Sequence, residues 1–372
     1  MIMVAVAGLS LVALLTAAAV AVPVLSRPTL PFGVRVPAGR VSDPAITAQR
    51  RRYTRAVLVL GALAALLFPS AAVLLGTPHV LQAGIVGLGA AHMTLFYTAH
   101  RGVSAAKRRG DWYAGTRQAA AADTTLRTDP VRLPWPLLIP AALLPLLTAA
   151  IGSWRFGALP ATLPTLGGPG VDPVVRVDTT FATAFAPVFS QVALTLLTPL
   201  LAAALLRARP ELDAARPAGS ARRYRVYLRG LARLLPAGAA CANLTLLLLA
   251  LQLWEIVTPS AIVTVVTWLP LAAAAAAGLI FGVRVGEAGH RLPPGPGEEP
   301  HSGFEQRDDD RHWHLAGMVY ANRADPAILV HQRAGGRWTL NLGNPVAWAI
   351  LAGLAIVALL SLLGVVDLPA NP

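Results

Sequence analysis

Eight apolar runs divide the chain, and no water-soluble fold accommodates so many. They occupy residues 3–25, 56–75, 80–99, 136–152, 183–206, 234–256, 261–281 and 346–366. Most reach the roughly 20 residues that a helix needs to cross about 30 Å of hydrocarbon. Within lipid, the helix is one of only two structures that satisfy every backbone polar group internally. Composition agrees: of 372 residues 55% are hydrophobic and 13% charged, with a mean hydropathy of +0.58, whereas a soluble domain carries about 25% charged residues. The expected fold class is an all-α polytopic membrane protein of about eight transmembrane helices, with a small β insert before the last one.

The formal net charge of +13 is dispersed over four loops, 26–55, 100–135, 207–233 and 282–345. Placing these loops in the cytoplasm leaves only Arg155 and Arg176, of 31 basic residues, on the other side. Because a charge at the centre of the hydrocarbon costs at least about 2.5 kcal/mol, this bias is a topological statement. Both termini are expected to be extracytoplasmic, the bilayer is the expected partner and nucleic acid is not. The first run could instead be a cleaved signal, since AAAVAVP has small residues near its end, but MIMVAVAGLS has no positive n-region. Cleavage would also strand the arginines of 26–55 outside.

A single cysteine, Cys241, excludes an internal disulfide and a Cys-rich metal cluster. Lysine occurs once, at Lys107, outside any Gly-Lys-Ser/Thr phosphate loop. The sequence contains no His-Glu-x-x-His, no Gly-x-Ser-x-Gly elbow and no intramembrane carboxylate pair. Neither enzymatic activity nor a cofactor is expected.

The loops divide the chain into six regions. Residues 1–135 hold three helices and two basic loops, 136–206 a helix, an outer loop and a second helix, and 207–288 a basic loop and a helical hairpin. GHRLPPGPGEEPHSG, within 289–304, reads as a flexible linker. In 305–345 the pattern changes from helix to strand: HLAGMVY, AILVHQ and GRWTLNL, separated by NRADP and AGG, predict a three-stranded antiparallel meander. About thirty residues are near the lower limit for independent stability, so the insert is expected to pack on the membrane-side loops. Residues 346–372 form the last helix and a tail.

DDDRHWH, 308–314, opens this insert. Carboxylates beside His312 and His314 suit a divalent metal, but two histidines without a fixed third ligand are a weak set. The expectation is a solvated strand edge. In the spans, His92, Gln191 and Asn243 form the candidate polar site, read against the simpler role of helix-bridging hydrogen bonds. Glu255 is expected to be a hydrated cap at the outer interface, and Trp135, Trp154, Trp254, Trp268 and Trp348 interfacial anchors. Arg222, Arg225 and Arg229 share one helical face that could hold anionic lipid or a regulator, and RRRY at 50–53 reads the same way; topology control alone also accounts for both.

The stretch from DDDRHWH through GMVYANRADPAILVHQR to GGRWTLNLGNPVAW resembles a short domain of unknown function, number 5808. The likeness rests on Asp308, Asp309, Asp310, Trp313, Asn322, Asp325, Pro326, Arg333, Gly335, Trp338, Thr339, Asn341, Asn344 and Pro345. The outer loop, through Leu159, Pro160, Leu163, Pro164, Gly168 and Asp172, resembles domain of unknown function 1648 of the SdpI-like immunity proteins of bacteria. Thr165 and Leu166 stand where that family has His and Phe. RPTLPFGVRVP, Asp43-Pro44 and Arg50 to Tyr53 look like the first cytoplasmic loop of the same proteins. The resemblance implies a protein of the bacterial cytoplasmic membrane acting in toxin immunity or envelope sensing. Its outer loop 153–182 would meet an extracellular peptide or toxin, and its arginine loops or the 305–345 insert a cytoplasmic regulator. The rival expectation is a small-molecule transporter or permease, which needs His92, Gln191 and Asn243 to converge; an intramembrane enzyme is a third. Oligomeric state is left open by the sequence.

Overall fold

The structure is a computed structural model, and it describes residues 2–75, 78–164, 176–335 and 337–362. Eight apolar helices occupy the expected runs: α1 (Ile2–Leu25), α2 (Pro44–Leu74), α3 (Pro78–Arg109), α4 (Ile139–Arg155), α5 (Phe181–Leu206), α6 (Pro217–Leu253), α7 (Ala261–Val285) and α8 (Pro345–Leu362). Seven are long and apolar enough to cross a membrane, and the eighth is a shorter apolar helix over Pro345–Leu360. The protein has an all-α polytopic membrane fold.

Three helices outrun the hydrocarbon. With 31, 32 and 37 residues, α2, α3 and α6 exceed the roughly 20 a bilayer requires. Their extra turns carry the arginine stretches, so segments expected to be loop at 44–55, 100–109 and 217–233 are helix. Helix starts follow local chemistry. Asp43 caps α2 by accepting the Ala45 N–H at 2.9 Å ahead of Pro44, and Thr180 and Thr183 form a reciprocal capping box on α5.

The chain falls into two compact units. The first comprises Met1–Thr124, Ala208–Tyr224 and Val285–Trp348; the second comprises Thr125–Arg207, Arg225–Arg284 and Ala349–Pro372.

In the first unit α1, α2 and α3 pack on one another, with Val12, Ala64 and Leu88 buried between them. At one end the loop after α1 turns inward. Phe32, at a φ of 50°, packs edge-on against Tyr53 of α2 and Phe96 of α3, with centroids 5.2 and 5.5 Å away. Gly33 follows at φ +77°, and a Cβ there would stand 2.3 Å from the Ala316 carbonyl oxygen. Only glycine permits both that conformation and that approach. Ala316 and Ala334 belong to the same buried cluster, so the C-terminal insert is built on the first loop.

The insert contains β structure before the last helix, arranged differently from a three-stranded meander. β5 (Trp313–His314) pairs antiparallel with β6 (Val319–Tyr320), and β7 (Leu329–His331) with β8 (Trp338–Leu340). One parallel bridge, Tyr320 to Asn341, joins the two hairpins. The first expected strand breaks because Leu315, Ala316 and Gly317 all take positive φ, folding the chain back and pressing Ala316 against the first loop. A parallel pair of β1 (Gln118–Ala119) with β4 (Glu305–Gln306) ties down the start of the insert. The preceding segment is also tied: Glu298 pairs with Arg223 at 2.7 Å, and Glu299 accepts the Gly219 N–H at 3.0 Å in the first turn of α6.

In the second unit, the antiparallel pair β2 (Thr162–Pro164) and β3 (Arg176–Asp178) lies between α4 and α5 in sequence. Leu163, Ala184, Phe185, Val188, Ala250, Leu253 and Trp254 form its core. Trp254, expected at the interface, is instead fully buried and donates from Nε1 to the Ala184 carbonyl at 2.9 Å. Its ring lies over Gly152, where a Cβ would approach to 2.8 Å. The other four tryptophans of that group are exposed, as anchors would be.

Candidate functional site

The acidic start of the insert is the centre of a charge cluster. Asp309 and Asp310 are separated by 23 or 24 residues from Arg333 and by about 275 from Arg35, yet all four meet. Arg333, whose side chain is 0% exposed, is paired with both carboxylates and stacks over Trp313 at 4.8 Å. Arg35 donates from Nε to Asp309 and from its backbone N–H to Asp310, each at 3.0 Å. Lys107, the only lysine, reaches Asp308 and Asp310 at 2.7 Å from the end of α3. Arg35 also pairs with Glu211. Glu211 lies 3.6 Å from Arg27, which lies 3.7 Å from the buried Glu287.

Charges this well shielded are tolerable only in mutual company. Burial pushes the Asp309 carboxyl up, but the pull of Arg333 and Arg35 outweighs it and holds the group below the ordinary carboxylate range. Asp310 is lowered against the same burial by Arg333 and Lys107. Burial lowers Arg35 in turn, as does the adjacent Arg333. Replacing such a network wholesale with apolar groups can be neutral, whereas removing one partner leaves a buried charge uncompensated at about 3–5 kcal/mol. The run at 308–310 is therefore a fastening, correcting the expectation of a solvated edge.

The remaining motif residues hold the insert's backbone. Asn341, 0% exposed, reaches the carbonyls of Asn322, Asp325 and Ala327 at 3.0 Å and accepts the Asn322 N–H at 2.9 Å. Asp325 accepts from Tyr320 Oη at 2.9 Å and pairs with Arg209. Asn344 accepts the Val346 N–H at the start of α8 and donates to the Pro326 carbonyl, with Pro345 at the first helical position. Trp338 faces His331, ring centroids 4.8 Å apart. The His312 ring packs edge-on against Tyr320 with centroids 6.4 Å apart, and His314 pairs with Val319 between β5 and β6; among the described residues no group of three or more His, Cys, Asp or Glu is placed to hold a metal.

The intramembrane candidates divide. Gln191 Nε2 donates to the Asn243 carbonyl at 2.8 Å, and Asn243 Nδ2 donates to the Ala141 carbonyl at 2.7 Å and to Thr195 Oγ1 at 2.8 Å. These bonds bridge α4, α5 and α6 within the second unit. His92 belongs to the first unit, where it is buried beside the Val57 backbone. Of the arginine face, Arg222 pairs with Glu298 at 3.2 Å and Arg225 with Asp129 at 3.1 Å. Among the described residues only Arg229 of the three lacks a carboxylate partner. Glu255 forms an ion pair with Arg176 at 2.8 Å, both about half exposed. Leu163 is buried in the core cluster that holds Trp254, while Thr165, Leu166, Gly168 and Asp172 lie outside the described residues.

Arg27, Arg35, Lys107, Arg209, Glu211 and Glu287 had not stood out as site residues. Two carried a signal. Arg35 interrupts the apolar stretch PFGVRVP, where a cation must be buried with its neighbours, and Lys107 is the only lysine among so many arginines. Compared with family models, with curated proteins and with solved structures, the chain finds no match in any of the three.

Proposed function

We propose that this multi-pass membrane protein acts without catalysis, as a bacterial cytoplasmic-membrane protein of the SdpI-like type, in immunity to a secreted toxin or in envelope sensing. The observation that carries this reading is the use made of the insert motif. Asp309, Asp310 and Arg333 join the insert to the loop between α1 and α2, and Asn344 joins it to the start of α8. A displacement of the helices is thereby delivered to an extramembrane platform. The likeness to domains 5808 and 1648 supports the reading through its short motifs alone. The arginine distribution supports a cytoplasmic insert and extracytoplasmic termini. On this reading an extracellular peptide engages the loop 153–182, and a cytoplasmic regulator engages the insert.

The permease reading has less support, because Gln191 and Asn243 spend their amide donors on neighbouring helices. The test is survival of cells lacking the gene when challenged with secreted peptide toxins of the envelope. Restored survival with the intact chain, and loss of it with Arg333→Met at equal membrane abundance, is expected. Identical sensitivity with and without the chain would remove the immunity role, and unchanged pull-down of cytoplasmic proteins on deleting 305–345 would remove the sensing role.

A further inference from the structure

We propose that the exposed arginine faces of α2 and α3 form a binding surface for anionic phospholipid headgroups. The argument begins with charge. Arg51, Arg52 and Arg55 on α2 and Arg101, Arg108 and Arg109 on α3 are all exposed, and among the described residues none has a carboxylate partner. The nearest acids do not compensate: Asp43 is engaged by Arg40 at 3.5 Å, and Asp111 follows the end of α3. The neighbouring Arg50 has a buried Nε with no hydrogen-bond partner among the described residues. On the 222–229 face, by contrast, two of the three arginines are paired with carboxylates.

Position decides the occupant. On α2, Arg51, Arg52 and Arg55 continue the exposed apolar stripe of Leu58, Val59, Leu63 and Leu66 by steps of three and four residues. On α3, Met93, Tyr97, Arg101 and Arg108 share one exposed face in the same way. The two helices run antiparallel, and their basic ends lie at one level: Tyr53 meets Phe96 with centroids 6.1 Å apart, and Gln49 lies against Gly102. Tyr97, half exposed and stacked with His100 at 6.2 Å, is an amphipathic ring at the point where apolar gives way to cationic. A partner must therefore offer acyl chain beside the stripe and negative charge one or two turns beyond it. A phospholipid with an anionic head does both, with phosphate oxygens matched to the planar donors of arginine.

The test uses the full chain in nanodiscs of phosphatidylcholine with rising phosphatidylglycerol, the bound lipid being counted by native mass spectrometry. Arg51→Gln with Arg55→Gln, and separately Arg101→Gln with Arg108→Gln, should weaken phosphatidylglycerol retention by roughly fivefold per arginine removed. Arginine-to-lysine versions should retain most of it. Arg307→Gln with Arg311→Gln, two exposed arginines of the insert, should change nothing. Equal retention by all variants would overturn the proposal in favour of a protein partner or none, and an equal loss in the insert control would reduce it to bulk charge. Should the glutamine variants fail to fold, the unaltered protein decides: retention must fall steeply as salt rises, and salt-insensitive retention rejects the surface.

Discussion

The Asp310 carboxylate accepts the backbone N–H of Arg35 at 3.0 Å across 275 positions of sequence. The same carboxylate also meets Arg333 and Lys107, so three cationic residues converge on Asp310. Arg333→Met leaves Asp309 and Asp310 short of their shielded cation, and a stability loss of about 3–5 kcal/mol is expected in detergent unfolding. Adding Asp309→Leu should recover part of that loss, because the pair then leaves together. A double variant as unstable as the sum of its two singles would show that the residues do not act as one network.

Gly33→Ala places a methyl group 2.3 Å from the Ala316 carbonyl at a φ of +77°. A loss of about 1–3 kcal/mol is expected. Gly39→Ala, which meets nothing within 4 Å, should be neutral or slightly stabilising. Thermal melts of the two variants side by side separate the strain of the first position from loss of glycine as such.

Acid should destabilise the first unit in two stages. Burial lowers His290 to about 4 from an ordinary value of 6.5, and burial also holds His331 well below that ordinary value. Both are neutral in the fold, so their contribution is complete above pH 6.5 and is lost as pH falls below it, for His290 down to about 4. The slope should reach about 1.4 kcal/mol per pH unit for each histidine. Asp309 and Asp310, held low, keep their contribution until pH drops below the ordinary carboxylate value of 3.8. His331→Gln should flatten the upper stage and leave the lower one intact. An upper stage of unchanged slope would show that His331 does not titrate on unfolding.

In the second unit, Asn243→Leu removes two side-chain hydrogen bonds between helices. Each is worth about 0.6 kcal/mol on average in a membrane bundle, so a modest shift is expected. Trp254→Ala empties the core and should cost about 3–5 kcal/mol, whereas Trp154→Ala, at an 80% exposed position, should cost little. Unfolding in a single detergent compares all three, and equal losses for Trp154 and Trp254 would contradict the burial assignment.

The helices were legible because lipid imposes a simple demand, about twenty apolar residues in succession, and the chain meets it almost everywhere. The arginine-bearing ends of α2, α3 and α6 were not, since helix that leaves the bilayer loses its apolar signature while keeping its hydrogen bonds. The insert was legible as β structure, but not its pairing: three consecutive positive φ values at Leu315, Ala316 and Gly317 leave no trace in the alternation of side chains. Asp309 and Asp310 were visible as an acidic run, but their pairing with Arg35, Lys107 and Arg333 was not. Periodicity reports neighbours a few residues apart, whereas Arg35 reaches its partners in the insert from the opposite side of six long helices in sequence. Trp254 followed the same logic in reverse. A tryptophan near a span end has the composition of an anchor, and only the small residue at Gly152 makes room for it inside.

Because the first loop is completed by residues near 310 and 333, Arg35 and Lys107 are synthesised long before the acids that neutralise them. For as long as four further helices take to leave the ribosome, those cations stand in a half-finished unit without the insert carboxylates, and Arg35 has only Glu211 to turn to once the chain has passed α5. The opening third of this protein is thus among the last parts to become native, and a truncated chain ending anywhere before the insert would carry an unfinished beginning.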